Sequence, residues 1–177
     1  MHMTESRIET ERLVLRAWRE SDAGALFVHA SDERVSRMAL WPAHTSREMS
    51  AWVIREVFMP NADCYAIELK TTGEAVGCIG LVPAGEEHFA AQDCEREVGY
   101  WIGYRYWGLG LTTEALRALV VYYAGKGEPD SLLITADANN VGSHRVAEKC
   151  GFRFVAEYEV DGVRSKAFRL ALKNDCR

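Results

Sequence analysis

The sequence predicts a single α/β domain of the α+β type over residues 1–177, with a mixed, mostly antiparallel central sheet of about seven strands and helices on both faces. Three observations predict this class. The length of 177 residues is enough for one domain with a core. Hydrophobic residues make up 48% of the chain and charged residues 27%, as in globular proteins. Segments with an apolar period of two also alternate with segments of helical period, and no repeat or linker divides them.

The first third of the chain is predicted to be one strand followed by helices. Leu13 and Leu15 lie at alternate positions, which predicts a strand over residues 12–18. The polar segment before it, residues 1–11, is expected to fray at its start. Residues of the Ser, Thr and Asp types then precede three apolar-periodic segments as helix caps. The three helices are predicted to begin at Ser21–Asp22, at Ser31–Asp32 and at Thr45–Ser46, and to end near residues 30, 38 and 58, respectively.

From Cys64 onward most of the predicted elements are strands. Strands over residues 64–70 and 75–82 are joined by the turn Thr71-Thr72-Gly73-Glu74 as a hairpin. A polar loop then leads to a strand over residues 95–102, and Asp161-Gly162 is a strong signal for a second hairpin. The remaining predicted elements are a helix from Leu111 to Gly125, a buried strand over residues 131–136, a helix from Asn140 to Gly151, and strands over residues 152–160 and 163–172.

The composition argues against several classes of function. A net charge of −5 without a basic stripe disfavours nucleic acid as a partner and suits a cationic amine better. The five cysteines form no Cys-x-x-Cys or His-spaced pair, so neither a metal site nor a disulfide framework is expected. The longest apolar run, residues 118–125, is too short to span a bilayer, and no leader segment is visible. We therefore expect a cytoplasmic protein without a membrane partner.

The turn between the strand that ends at Ile102 and the helix that begins at Leu111 is the candidate ligand site. Its pattern is Arg105-x-x-Gly108-x-Gly110. Glycine lets the backbone come close to a ligand, and the start of a helix points unpaired N–H groups and a partial positive charge at the turn. Such a site suits a phosphate group. A tight strand-to-helix turn without a ligand is the alternative that this pattern leaves open.

Five motifs, taken in order, make the chain resemble the GCN5-related N-acetyltransferases (the GNAT superfamily), and most closely their RimJ/RimL-type branch. The motifs are Glu11 to Arg16, Gly99-Tyr100-Trp101-Ile102, Trp107 to Ala115, Asn140-Val141-Gly142-Ser143, and Glu148 to Phe152. The resemblance implies the GNAT fold and transfer of an acetyl group from acetyl-coenzyme A to a primary amine. The acceptor is either the α-amine of a protein N-terminus or a small amine. Dimers are common in this branch, so the resemblance also favours a homodimer.

The resemblance implies roles for individual residues. Arg105 matches the first position of the family's turn pattern, and the backbone of Trp101 or Ile102 would face the thioester carbonyl as an oxyanion donor. The cofactor arm would lie along this strand like an added strand and contact Asn140. The N–H groups expected to hold the pyrophosphate are those of Gly108, Leu109, Gly110, Leu111, Thr112 and Thr113.

The resemblance also implies how protons move. Glu97 is the candidate base that takes the proton from the attacking amine, directly or through water. Ala147 stands where many family members have a tyrosine acid, which leaves Ser143 or water as the proton donor to the departing thiol. The alternative for Glu97 is a strand residue that faces solvent. His88 and His144 are interpreted as exposed single histidines without a catalytic role.

A second class of function stays open at this point. The chain could be a non-catalytic module that binds acetyl-coenzyme A as a sensor or as a partner-binding subunit. The glycine turn would then be intact while the base is absent or misplaced, so a Glu97 variant distinguishes the two hypotheses.

Overall fold

The structure is a computed structural model that describes residues 7–89 and 92–173. Within these ranges the chain forms eight strands and five α-helices. The strands are β1 (Ile8–Glu9), β2 (Leu13–Ala17), β3 (Cys64–Leu69), β4 (Glu74–Leu81), β5 (Glu95–Ile102), β6 (Ser131–Asp137), β7 (Arg153–Val160) and β8 (Val163–Ala171). The helices are α1 (Ala23–Ala30), α2 (Glu33–Ala39), α3 (Arg47–Val53), α4 (Leu111–Lys126) and α5 (Val141–Lys149).

The strands form a mixed sheet in the order β1-β2-β3-β4-β5-β6-β8-β7. The pairing of β5 with β6 is parallel, whereas β2 with β3, β3 with β4, β6 with β8 and β7 with β8 pair antiparallel. The predicted class, a mixed and mostly antiparallel α/β sheet, is therefore confirmed.

The sheet has one strand more than predicted, at its N-terminal edge. Ile8 and Glu9 pair antiparallel with Leu15 and Val14 of β2, in a segment for which no strand was predicted. The Thr10 amide donates to the Leu13 carbonyl at 3.0 Å, and this tight turn folds the segment back onto β2. Residues 1–6 lie outside the described ranges.

The described residues fall into two compact units. The first unit contains the residues up to Gly80 together with Tyr100–Ala115, and the second contains Leu81–Gly99 and the residues from Leu116 onward.

The first unit has an apolar core with one buried cation. Leu13, Leu15 and Ile67 are fully buried on β2 and β3. On the opposite face of β2, the Arg16 guanidinium donates to both carboxylate oxygens of Asp22, at 2.8 and 2.9 Å, and it also donates to Glu68. A buried cation is tolerated when its donors are paired in this way.

The helix caps of the first unit follow the prediction with one exception. The Asp32 side chain accepts from the Arg34 amide at the start of α2, and Ser46 accepts from Met49 at the start of α3. The prediction that Ser21 or Asp22 caps α1 is wrong, because no side chain caps this helix. The Asp22 carboxylate is held by Arg16 instead, and a short 3-10 turn over Glu20–Asp22 leads into the helix.

The second unit is organised around β6, whose residues Leu132, Leu133 and Ile134 are almost completely buried. This strand pairs along its whole length with β8, as the short apolar run predicts. Asp161 and Gly162 have positive φ angles of 51° and 78°, which fits the two-residue turn predicted between β7 and β8. No helix within the described ranges is both long and apolar enough to cross a membrane.

Candidate functional site

The glycine turn lies in the first unit and is open to solvent. Gly108 and Gly110 have φ angles of 76° and 75°, a region that residues with a Cβ rarely adopt. Trp107 to Gly110 are all exposed, and the first hydrogen bond of α4 runs from the Glu114 amide to the Gly110 carbonyl at 3.0 Å. The turn therefore lies exposed at the start of a 16-residue helix, whose partial positive charge is directed at it.

A clamp of side chains around Arg12 fixes this turn. Arg12 Nη1 donates to the Leu109 carbonyl at 3.0 Å, and Arg12 Nε donates to Glu114 Oε2 at 2.6 Å. The Thr10 hydroxyl and the Arg12 amide donate to the other oxygen of Glu114, at 2.6 and 2.9 Å. Burial raises the pKa of Glu114, but these hydrogen bonds outweigh it and leave the pKa lowered. Arg12 thus neutralises a carboxylate that lies beside a candidate anion site.

Arg105 points to a carboxylate of its own unit. Its Nη2 atom donates to both oxygens of Glu74, at 2.7 and 2.8 Å. The guanidinium also lies over the ring of Tyr106, with 4.9 Å between its carbon and the ring centroid. More than half of the side chain is exposed. Arg105 therefore anchors the short helical turn Tyr104–Tyr106, and contact with a ligand stays a prediction.

The end of β5 presents one backbone edge to β4 and leaves the other turned away. Within the first unit, the Gly103 amide donates to the Val76 carbonyl at 2.8 Å. Backbone groups of successive strand residues point in opposite directions, so the amide of Ile102 points away from β4. The Ile102 carbonyl correspondingly accepts from Trp107 Nε1 at 2.9 Å. This orientation favours Ile102 over Trp101 as the oxyanion donor.

In the second unit, the pairing between β5 and β6 stops early. Glu95, Arg96 and Glu97 pair with Ser131, Leu132 and Leu133. The next described residues of β5 in this unit, Val98 and Gly99, have no partner on β6, although both strands continue. A strand that loses its neighbour in this way offers a backbone edge to which an extended ligand can bind.

Glu97, the last paired residue of β5, is buried and holds three hydrogen bonds. Its side chain is 3% exposed. Oε2 accepts from the His88 amide at 2.7 Å, and Oε1 lies 3.0 Å from His88 Nδ1 and accepts from the Thr135 hydroxyl at 2.6 Å. The alternative of a Glu97 that faces solvent is therefore wrong. Its role as a base stays a prediction.

Asn140 and Ser143 meet at the start of α5. The Asn140 side-chain oxygen accepts from the Ser143 amide at 3.1 Å and caps the helix. Gly151, with a φ of 88°, follows the end of the same helix. The cap accounts for one hydrogen bond of Asn140, and the cofactor contacts implied for Asn140 and Ser143 stay predictions.

Sequence reasoning missed three of the residues around these sites. Arg12 belongs to the motif Glu11 to Arg16, but neither it nor Thr135 could be given a role, because their partners lie far away in the chain. His88 was expected to be exposed and without a role; its ring is indeed 64% exposed, but it is held by Glu97. The expectation that His144 is exposed is wrong, because it is 8% exposed, its ring packs against Phe168 and its Nε2 atom lies 3.0 Å from the Asp137 carbonyl.

Comparison with known proteins identifies the class to which this fold and these sites belong. The family model described as an acetyltransferase (GNAT) domain matches residues 12–153. The chain therefore belongs to the GNAT acetyltransferase family and is an N-acetyltransferase. The likeness of its motifs to the RimJ/RimL-type branch stays a prediction within that family.

Three curated relatives illustrate the similarity. The chain is 29% identical to the uncharacterized protein YkkB of Bacillus subtilis, covering 84% of this chain and 86% of that protein. It is 27% identical to the uncharacterized N-acetyltransferase YoaA of Bacillus subtilis, covering 82% of both chains. Identity reaches 38% with the ribosomal-protein-serine acetyltransferase of Escherichia coli, over 32% of this chain and 31% of that enzyme.

Two solved structures share the fold. An acetyltransferase of the GNAT family from Bacillus anthracis superposes with a TM-score of 0.79 at 20% identity, covering 94% of this chain and 99% of that one. RimL, a ribosomal α-N-protein acetyltransferase solved in complex with coenzyme A, superposes with a TM-score of 0.74 at 20% identity, covering 94% and 98%. At this identity the likeness shows the fold alone.

Proposed function

We propose that the protein is a single-domain enzyme that uses acetyl-coenzyme A to acetylate a primary amine. The observation that carries the proposal is the early end of the β5–β6 pairing at Glu97 and Leu133. The pantetheine arm of coenzyme A contains two amide groups, which can pair with a free strand edge as an added strand does. The RimL structure solved with coenzyme A, which has the same fold, supports this choice of co-substrate.

The glycine turn of the first unit is the proposed binding element for the pyrophosphate. Backbone N–H groups from Gly108 to Thr113 bind the pyrophosphate, whose negative charge suits the start of α4. Arg12 keeps the turn in shape and offsets the nearby charge of Glu114. Arg105 reaches the phosphates only if it leaves Glu74, so we assign it the weaker role.

The proposed chemistry is direct attack by the amine on the thioester. The amide of Ile102, turned away from β4, stabilises the oxyanion, and Trp101 lines the acyl group. Asn140 holds the cofactor arm, and Ser143 lies near the sulfur that departs. Glu97 draws the proton from the attacking ammonium, directly or through another group.

The proposed acceptor is the α-amine of a protein N-terminus. The identity with a ribosomal-protein-serine acetyltransferase supports it over part of the chain, and a net charge of −5 suits a cationic acceptor. A small amine is the other acceptor to test. The homodimer and the cytoplasmic location implied by the sequence stay predictions.

A thiol-release assay tests the proposal. Acetyl-coenzyme A is incubated with the protein and a panel of peptides with free N-termini, the same peptides with blocked N-termini, and small primary amines. We expect release of the thiol with free α-amines and none with their blocked counterparts. Calorimetry with coenzyme A runs in parallel. If no amine leads to thiol release and coenzyme A still binds tightly, the results would instead support a non-catalytic sensor.

A further inference from the structure

His88 differs from the other histidines of the described residues. His29, His44 and His144 are each at most 8% exposed. The ring of His88 is 64% exposed, yet one of its nitrogens is tied to the buried carboxylate of Glu97. A ring with one nitrogen on a buried carboxylate and the other towards solvent can accept and release a proton.

The contact with Glu97 determines which ring nitrogen is basic. Nδ1 lies 3.0 Å from Glu97 Oε1, and the backbone amide of His88 donates to Oε2 of the same carboxylate at 2.7 Å. A carboxylate only accepts hydrogen bonds, so Nδ1 must carry the proton in the neutral ring. The lone pair is then on Nε2, and the side chain that carries it is 64% exposed. The same logic applies to the buried Asp and the His of a serine protease.

The position of the pair suggests where its proton comes from. Glu97 is the residue at which β5 and β6 stop pairing, which is the start of the strand edge assigned above to the cofactor arm. The carboxylate itself is 3% exposed and already accepts three hydrogen bonds. It is therefore poorly placed to meet an ammonium group directly, whereas His88 Nε2 extends outward from it.

We propose that His88 is the general base of the transfer, with Glu97 as the residue that positions it and stabilises its charged form. This inference rests on the proposed acetyl transfer and names the group that receives the proton. Glu97 keeps a part in catalysis, but it acts through the imidazole.

The proposed acetyl transfer begins with loss of a proton from the ammonium. The N–H bond of the ammonium breaks, and its proton binds the lone pair of His88 Nε2. The neutral amine attacks the acetyl carbon, a C–N bond forms and the C–S bond breaks. The thiolate leaves with the electron pair and takes the second nitrogen proton, which yields the thiol and the amide. The imidazolium is stabilised by Glu97 and releases its proton to water through the exposed ring.

Among the described residues, Thr135 and Tyr158 lie beside the pair. Thr135 on β6 donates to Glu97, and Tyr158 on β7 interacts with Thr135 and feels the charge of Glu97. The hydrogen bond with Glu97 raises the pKa of His88 above its usual 6.5, against a smaller opposite effect of burial. The neutral base form is therefore lost as the pH falls through a value above 6.5, which lies close to the range in which a base works best.

The test compares pH profiles of kcat/KM for one peptide acceptor in four proteins. They are the wild type, His88→Asn, Glu97→Gln and His29→Gln. Asn retains a donor where Nδ1 lies and so keeps the contact with Glu97, but it lacks the basic Nε2 atom. His29→Gln is the matched control, because His29 is also bound to a glutamate, Glu74, but is buried.

In the wild type we expect activity to fall on the acid side with the pKa of His88, read independently by NMR titration of its ring. His88→Asn is expected to lose this acid limb and about 100-fold or more in kcat. Glu97→Gln is expected to keep an acid limb that moves towards the ordinary pKa of histidine, with a lower plateau. His29→Gln is expected to keep the acid limb of the wild type.

Two results would overturn the inference while leaving the proposed function intact. One is an active wild type whose kcat is unchanged in His88→Asn. The other is a Glu97→Gln protein that is inactive at every pH while His88→Asn is active, which would make Glu97 the base. A wild-type protein that acetylates no amine would instead contradict the proposed function itself. Calorimetry with coenzyme A and thermal unfolding show that each variant is folded.

Discussion

At the scale of single residues, the glycine turn depends on a backbone conformation that residues other than glycine rarely adopt. Gly108 and Gly110 both have φ near 75°. A Cβ added at Gly110 would lie 3.7 Å from the Arg12 guanidinium, so space is available and the conformation alone sets the cost. The requirement for glycine is therefore one of backbone geometry.

Gly110→Ala is expected to destabilise the protein by about 1 kcal/mol, because alanine is strained at positive φ. We also expect coenzyme A to bind about tenfold more weakly, since a relaxed turn moves its N–H groups. Urea unfolding and calorimetry measure the two effects. Gly125→Ala is the matched control: it lies inside α4 without a positive φ, and should raise stability by about 0.5 to 1 kcal/mol. Equal losses in both variants would contradict the argument.

Glu97 shows at the same scale why residue type does not reveal mechanism. Its position before Gly99-Tyr100 marks it as a candidate base. Its three hydrogen bonds come from His88 and Thr135. Neither residue belongs to that motif. The contacts with His88 and Thr135 therefore determine whether the carboxylate takes the proton from the amine directly or acts through the imidazole.

At the scale of elements, the start of α4 depends on the segment that leads into β2. Thr10 and Arg12 provide three hydrogen bonds to Glu114, and Arg12 also binds the Leu109 carbonyl. The glycine turn is thus held from a segment about a hundred residues earlier in the sequence. This explains why a motif near residue 12 accompanies the glycine turn in the chain.

Arg12→Gln is expected to raise the KM for acetyl-coenzyme A about fivefold with little change in kcat, because the loss of a charged hydrogen bond costs about 1 kcal/mol and leaves Glu114 unneutralised beside the phosphates. Steady-state kinetics with a fixed peptide acceptor measure both constants. Arg7→Gln is the control, since Arg7 pairs with exposed Glu9 and has no contact with the glycine turn among the described residues. A change confined to kcat, or the same change in both variants, would rule out the clamp.

At the scale of the whole molecule, buried histidines set the response of stability to pH. Burial lowers the pKa of His29, His44 and His144 below the ordinary 6.5, and it is the largest cause in each. The folded state therefore binds fewer protons than the unfolded state near pH 6. Stability linked to these three groups is present above 6.5 and decreases as the pH falls below it. His88, with a raised pKa, contributes in the opposite direction.

We expect the free energy of unfolding to decrease as the pH is lowered from neutral through 6.5. Urea unfolding at a series of pH values measures the slope. His44→Gln should flatten it, because burial lowers the pKa of His44. The contacts of this ring are with the Ser50 hydroxyl and the Trp41 ring. A slope that is unchanged in this variant, or a stability that rises towards acid pH, would contradict the prediction.

The sequence by itself determined the order and type of almost every element, and the family. Periodicity and turn residues are local properties, so β5, the Asp161-Gly162 hairpin and the caps Asp32 and Ser46 were predictable from neighbours in the chain. The glycine turn was predictable for the same reason, since two glycines before an apolar helix are a local signal.

Only the tertiary structure decided which groups meet. Asp22 looked like a cap, but the buried Arg16 holds its carboxylate. His88 looked like a solvated loop residue, but the Glu97 carboxylate binds it. A buried charge must find a partner wherever the fold brings one within reach, and that partner is seldom a neighbour in sequence. The candidate base pair and the Arg12 clamp therefore became visible only with the fold.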